Sequence, residues 1–291
     1  MALTELSSWD SDCTVAGKHG SVLTKRMAPT SKDARRPGVT TECSETFLNY
    51  ATAGGGLRRR RIAVHDARVL PDEPFLNREG FALLRHLSAV SNFFDPAEVR
   101  SVYYPEVEQI LREATGASLV VAFEHDVRCV GADRGRSDGV REAVKVVHDD
   151  YTAKSARGRV LLYLGDEAET LLQQPYAVIN VWRALRGPVR DTPLAVCDAR
   201  TIAADDLLPT EEGVKHEVYL FKFNPDHRWY YFSAMNSDEV LLLKCFDSRP
   251  DADARLTAHT AFDLPMKGQP PTRQSIEVRA LVFFGRQSPP M

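Results

Sequence analysis

Beyond Gly116 the chain is a succession of short apolar or alternating runs separated by turn residues, which is how strands read in sequence. The pattern predicts strands at Ser118–Phe123, Ala143–His148, Val160–Leu164, Tyr176–Trp182, Leu194–Asp198, Glu217–Phe223, Trp229–Phe232, Val240–Phe246, Leu256–Ala261 and Ser275–Phe284. Turns such as Asn224-Pro225-Asp226-His227 punctuate them, and an earlier strand is expected around Arg61–His65. Helical spacing is confined to two places. Asp95-Pro96 is an N-cap acid with proline at the first helical position, and Val99, Val102 and Tyr103 follow on one face. Pro105 restarts the helix, Val107, Ile110, Leu111 and Ala114 form its apolar stripe, and Gly116 stops it. A second, short helix is expected at Asp166–Gln173. Strands in series, without an internal repeat or a regular β–α alternation, predict a sandwich or jelly roll: a mostly β fold with flanking α-helices.

Composition narrows this. Residues 1–45 are rich in Ser, Thr, Lys, Arg and Gly with no apolar period, and are expected to be a disordered tail before one folded domain, 46–291. Lys25-Arg26, Arg35-Arg36 and the run Arg58 to Arg61 have the form of nuclear signals, but a solvated basic segment is the simpler account. Gly54-Gly55-Gly56 is a break rather than a phosphate loop, since no Lys-Ser/Thr follows it. A net charge of −3 gives no electrostatic reason for nucleic-acid binding. No run of 18 apolar residues predicts a membrane span, and the acidic N-terminus lacks the apolar region of a secretory signal. The 5 cysteines are scattered and never in CxxC spacing, as expected of reduced thiols in a cytoplasmic protein. Nothing in the sequence fixes an oligomeric state.

The chemistry centres on Val146–Thr152. On a strand, His148 and Asp150 share a face about 6–7 Å apart, with Asp149 turned the other way to solvent or a turn. An imidazole and a carboxylate so placed are two thirds of a facial triad for Fe(II), and His259 is the best placed third ligand. Such a triad leaves positions for O2 and a co-substrate. Alternation on the last strand puts Arg273, Ser275, Glu277 and Arg279 on one face. A guanidinium with a hydroxyl two residues on suits the distal carboxylate of 2-oxoglutarate. Asn180 and Trp182 share a face of an otherwise apolar strand, and with Tyr151 and Arg183 are candidates to line a pocket for a small-molecule substrate. Two other classes use the same residues: a non-catalytic jelly-roll binding module, and a zinc hydrolase with Glu277 or Asp149 as base.

Several blocks are familiar as a set: Val102–Glu108, Val147–Thr152, Ile179–Arg183 with Gly187–Val189, Cys197–Arg200, Asn224–Phe232, Asp238–Leu241 with Lys244–Ser248, His259–Phe262 and Ser275–Phe283. Through them the chain resembles the CmcJ/NvfI oxidoreductases, a group that includes gibberellin desaturase-like and AsaB-like fungal hydroxylases, from about Phe47 to Phe284. The resemblance implies a double-stranded β-helix (jelly roll) and Fe(II)/2-oxoglutarate chemistry in secondary-metabolite biosynthesis: hydroxylation, desaturation or oxidative cyclisation. It implies His148, Asp150 and His259 as metal ligands, with Arg273 and Ser275 in the co-substrate region. Arg279 lies in the same motif, so which arginine holds the carboxylate stays open.

Overall fold

The computed structural model describes residues 43–130, 140–210, 217–264 and 273–285. The expected tail, with its basic pairs, lies outside them apart from its last three residues, which already belong to β1. Thirteen strands are present among the described residues: β1 (Cys43–Ala51), β2 (Leu57–Asp66), β3 (Phe81–Arg85), β4 (Leu119–Cys129), β5 (His148–Asp149), β6 (Tyr176–Ala184), β7 (Leu194–Cys197), β8 (Leu207–Pro209), β9 (Tyr219–Phe221), β10 (Trp229–Tyr231), β11 (Glu239–Asp247), β12 (His259–Ala261) and β13 (Gln274–Phe283). They form two sheets. One has the order β1-β2-β10-β7-β12-β5-β9-β8, the other β3-β11-β6-β13-β4. Two largely antiparallel sheets whose strands alternate between layers along the chain make a double-stranded β-helix, the jelly roll.

β6, β11 and β13 are buried almost throughout because both faces of the five-stranded sheet are covered. Val178, Trp182, Leu241, Leu243, Cys245 and Leu281 face the interior between the sheets. Ile179, Val181, Val240, Leu242, Ile276 and Val278 face outward, under Val99, Tyr103, Val107, Ile110 and Leu111 of the helical layer. That layer begins where expected: Asp95 caps α1 (Pro96–Glu98) by accepting from the Ala97 N–H, and a π-turn (Val99–Tyr103) leads into α2 (Tyr104–Thr115). Gly116, at φ +69°, ends it in the left-handed conformation glycine supplies without strain. Ala114 is exposed, so the buried stripe of α2 stops at Leu111.

Two expectations fail. Val160–Leu164 is not a strand but the end of α3 (Ala153–Leu164). The run Val160–Leu164 is apolar, but only Val160 is buried, and Leu161 and Leu162 are exposed. The helix is set by its N-terminus, where the Thr152 side chain accepts from the Ser155 N–H and Ser155 returns a bond to the Thr152 backbone. The second failure is Ala143–His148, which runs extended but is laddered only from His148; Val146 makes a lone parallel bridge to Asn49. The short helix expected at Asp166–Gln173 is present as a 3-10 turn followed by α4 (Ala168–Leu171).

Candidate active site

Both sheets contribute buried polar side chains to a group in the interior of the jelly roll. β5 and β12 are neighbours, paired at His148 opposite His259, and this brings the two imidazoles to a centroid separation of 4.4 Å. His148 Nδ1 lies 2.7 Å from the Val146 carbonyl and His259 Nδ1 lies 3.2 Å from the Thr257 carbonyl. Each Nδ1–H therefore donates to backbone, which fixes the tautomer and leaves both Nε2 lone pairs pointing into the site. Asp150 follows β5 and places Oδ1 3.5 Å from His148 Nε2. One ligand atom from each of His148, Asp150 and His259 falls within 4.8 Å of the others, and all three residues are buried.

The electrostatics suit a cation. Burial, reinforced by the second imidazole, pushes His148 down to about 3, so it stays neutral and available as a donor at any ordinary pH. Burial alone would raise Asp150, but the Arg279 guanidinium, then His259 and His148, outweigh it and hold the carboxylate below its usual range. The other oxygen is occupied: Oδ2 accepts from Asn180 Nδ2 at 2.8 Å and from Arg279 Nε at 3.0 Å. Only Oδ1 is left to bind an ion. Two imidazole nitrogens and one pre-oriented carboxylate oxygen, supported by fixed neighbours, fit a divalent iron that keeps further positions for other ligands.

The last strand carries its polar side chains inward as alternation requires, with Ile276, Val278 and Ala280 outward in the helical interface. The two arginines play different parts. Arg279 is spent on acids: besides Asp150, Nη1 donates to Asp126 at 3.1 Å and Nη2 to Glu277 at 3.0 Å. Arg273 has no acid within ion-pair distance among the described residues. Its Nε donates to Ser275 Oγ at 3.2 Å and Nη1 to the Thr192 carbonyl at 2.8 Å, its plane lies 5.1 Å from the Trp182 ring, and Nη2 makes no hydrogen bond to a described residue. Burial, then the neighbouring Arg128, lowers its pKa to about 10. A buried cation without an anion is an expensive arrangement unless a ligand supplies the anion.

Other expected site residues separate. Asn180, Trp182 and Tyr151 are buried on the interior side, Tyr151 edge-on to Phe123 at 6.4 Å. Arg183 is not part of the group. Its guanidinium leaves the opposite face of β6 and bonds Tyr103 Oη, the His86 and Ser237 carbonyls and His86 Nδ1, so it ties the helical layer to the sheet. Asp149 is a second correction: it does not reach solvent but is fully buried, with the N–H groups of Asp150 and Tyr151 near its carboxylate. Asp126 went unread in the sequence. It lies on β4 opposite Glu277, and it faces inward because a register shift after Phe123 reverses the alternation that would have turned it outward.

Comparisons with known proteins agree on one kinship. Residues 28–283 match a family model described as an oxidoreductase/YMDC permease-like domain. The hydroxylase/desaturase efuI of Hormonema carpetanum is 33% identical over 284 residues, covering 83% of this chain and 95% of that protein. The Fe(II)/2-oxoglutarate-dependent dioxygenase nvfI of Aspergillus novofumigatus is 36% identical over 238 residues, 78% of this chain and 84% of that one. The solved structure of the iron and alpha-ketoglutarate-dependent endoperoxidase NvfI superposes with a TM-score of 0.78 at 30% identity, covering 84% of this chain and 99% of that chain. The chain belongs to the NvfI-like Fe(II)/2-oxoglutarate-dependent oxidoreductases. As an NvfI-like enzyme it requires Fe(II), 2-oxoglutarate and O2, and neither the binding module nor the zinc hydrolase describes it. Among the described residues of this NvfI-like chain, no helix is long and apolar enough to cross a membrane.

Proposed function

We propose that His148, Asp150 and His259 hold Fe(II), that Arg273 with Ser275 holds the distal carboxylate of 2-oxoglutarate, and that the enzyme oxidises a small secondary metabolite by hydroxylation, desaturation or oxidative cyclisation. The observation that carries this reading is the convergence of two backbone-oriented imidazoles on the one free oxygen of Asp150. Bound iron supplies the O2 chemistry, in which 2-oxoglutarate is decarboxylated to succinate. The chain's own residues set the stage for it. The Val146 and Thr257 carbonyls hold the imidazoles in one tautomer, and Asn180 and Arg279 keep Asp150 charged and monodentate. Arg273 is preferred to Arg279 as the carboxylate anchor because it is buried and lacks an acid, whereas Arg279 already serves three. Tyr151 and Trp182 line the interior beside these groups and, with Asn180, shape the room left for substrate. Free Cys43, Cys197 and Cys245 fit a reducing, cytoplasmic setting.

The test is incubation with Fe(II), 2-oxoglutarate and candidate metabolites while succinate is followed. His148→Ala, Asp150→Ala and His259→Ala are each expected to remain folded and lose turnover; a fully active, iron-replete His148→Ala or His259→Ala would end the assignment. Arg273→Ala is expected to weaken 2-oxoglutarate binding by roughly 30- to 1,000-fold, the equivalent of about 2–4 kcal/mol for a lost bidentate contact. If Arg273→Ala titrates like wild type, the co-substrate carboxylate sits elsewhere.

A further inference from the structure

Asp149 has no role in the iron set, yet it is fully buried beside it. Neither of its carboxylate oxygens meets a donor at good hydrogen-bond geometry. The side chain alongside is Cys245, which reaches the interior from β11 in the opposite sheet and lies between the Leu243 carbonyl, at a long 3.8 Å, and the Asp149 carboxylate. A carboxylate oxygen of Asp149, the sulfur of Cys245 and a ring nitrogen of His259 lie within 4.8 Å of one another, all three residues being buried. Because His259 Nδ1–H is committed to the Thr257 carbonyl, Nε2 is the ring nitrogen with a lone pair to offer a cation in either set. Two acidic ligand types and an imidazole around one point, with a carboxylate whose nearest donors, the Cys245 thiol and the Asp150 and Tyr151 N–H groups, are poorly aimed at it, describe a place for a cation.

We propose that Asp149, Cys245 and His259 form a second metal site, selective for a thiophilic divalent ion such as Zn(II), whose filling excludes iron. The exclusion rests on the reading of His259 as an iron ligand, since one nitrogen cannot serve two ions. The selectivity rests on the sulfur: the iron set offers only nitrogen and oxygen, whereas a thiolate favours zinc and cadmium over Fe(II). Occupation releases the thiol proton to solvent, ties Cys245 to His259 across the two sheets, and removes one ligand from the oxidation site. Metal choice would thus be decided by a residue on β11, outside both histidine motifs, and a zinc-loaded chain would be a distinct, inactive form.

The experiment uses the metal-free full-length chain and Cd(II), whose thiolate complexes give a near-ultraviolet charge-transfer band that histidine and carboxylate complexes lack. Wild type is expected to develop the band to one equivalent, Cys245→Ser to lose it, and Asp149→Ala to need more Cd(II) for the same signal. Cys197→Ser and Cys129→Ser, which supply no ligand atom to this set, should keep it. His148→Ala removes only an iron ligand, so it too should keep the band. No band in wild type, or a band that survives Cys245→Ser, overturns the proposal. If instead the iron assignment is wrong, His148→Ala still turns over 2-oxoglutarate while the band behaves as stated, so the two failures are separable. Should Cys245→Ser fold poorly by circular dichroism, zinc competition settles the matter: in folded His148→Ala, Zn(II) added first must prevent the Cd(II) band, and lack of competition overturns the site.

Discussion

Asp150 shows how much of a metal ligand is decided by its neighbours. Its two oxygens are divided between an outside role and an inside one, Oδ2 held by Asn180 and Arg279 and Oδ1 left toward the imidazoles. Asn180→Ala removes one of the two donors that fix the carboxylate plane. Loss of such an outer partner commonly lowers metal affinity by about 10–100-fold, and that drop is expected here in an Fe(II) titration of the metal-free chain. An unchanged affinity would mean that Arg279 alone orients Asp150. Arg279→Leu is a harsher change, since it takes the cation from Asp150 and Glu277 in the interior and leaves Asp126 to Arg128 and Arg141 alone. Removing one partner from a buried charged network typically costs about 3–5 kcal/mol, and denaturant unfolding should show a loss of that order. In sequence His148, Asp150, His259, Arg273 and Ser275 were legible because strand alternation and family blocks both pointed at them. Asp149 was not, since alternation turned it outward and nothing local says that β5 ends after one step.

At the level of elements, the polar site depends on β12 being held in place by a loop from elsewhere. Thr257 Oγ1 donates to the Gly80 carbonyl at 2.9 Å, and the Thr257 carbonyl in turn orients His259. Gly80 has φ +89°, and a Cβ added there would lie 1.9 Å from Thr257 Oγ1. Gly80→Ala is therefore expected to cost about 1–3 kcal/mol from overpacking, with backbone strain in addition, and to weaken Fe(II) binding by displacing the support of His259. Thermal unfolding and an iron titration check the two parts; a stable, iron-replete Gly80→Ala would show that the loop yields without moving Thr257. The sequence gives no hint of this contact, because the two residues are far apart and neither sits in a motif. Elements marked by end signals were legible, as at Asp95-Pro96 and Gly116. α3 was misread because Val160–Leu164 looks like a short buried strand taken alone. The deciding signal lay at Thr152 and Ser155, eight and five residues upstream of Val160. Thr152→Ala, which removes that cap and a 2.6 Å bond to Glu217, should destabilise the fold by about 0.5–2 kcal/mol.

Across the whole molecule, the jelly roll stacks buried polar groups between apolar layers, and its histidines take their character from that burial. The architecture was legible as many short strands without repeats, while the assignment of strands to two sheets was not, since pairing such as β2 with β10 joins distant segments. The same burial predicts how the chain meets acid. Burial, with Arg100 nearby, lowers His125 to about 4; burial and Arg183 lower His86; and burial lowers His227 despite the opposing Asp206. In each case the folded form resists protonation more than the unfolded chain, whose imidazoles titrate near 6.5. Between about pH 6.5 and 4 the unfolded state therefore binds more protons, so stability rises with pH across that window and is lost as pH falls through it. The depressed carboxylates Asp126, Asp206 and Asp247 add their own loss only at lower pH, when they are protonated. Melting temperatures of the metal-free chain should thus be level above about pH 7.5 and fall steadily as pH drops toward about 4.5. His125→Gln should flatten part of that slope while leaving a usable amide for Tyr104, whose hydroxyl lies 2.9 Å from His125 Nδ1 in the native chain. A melting temperature that holds constant from neutral pH to about 5 would mean that these histidines gain protons without unfolding cost, contrary to their burial.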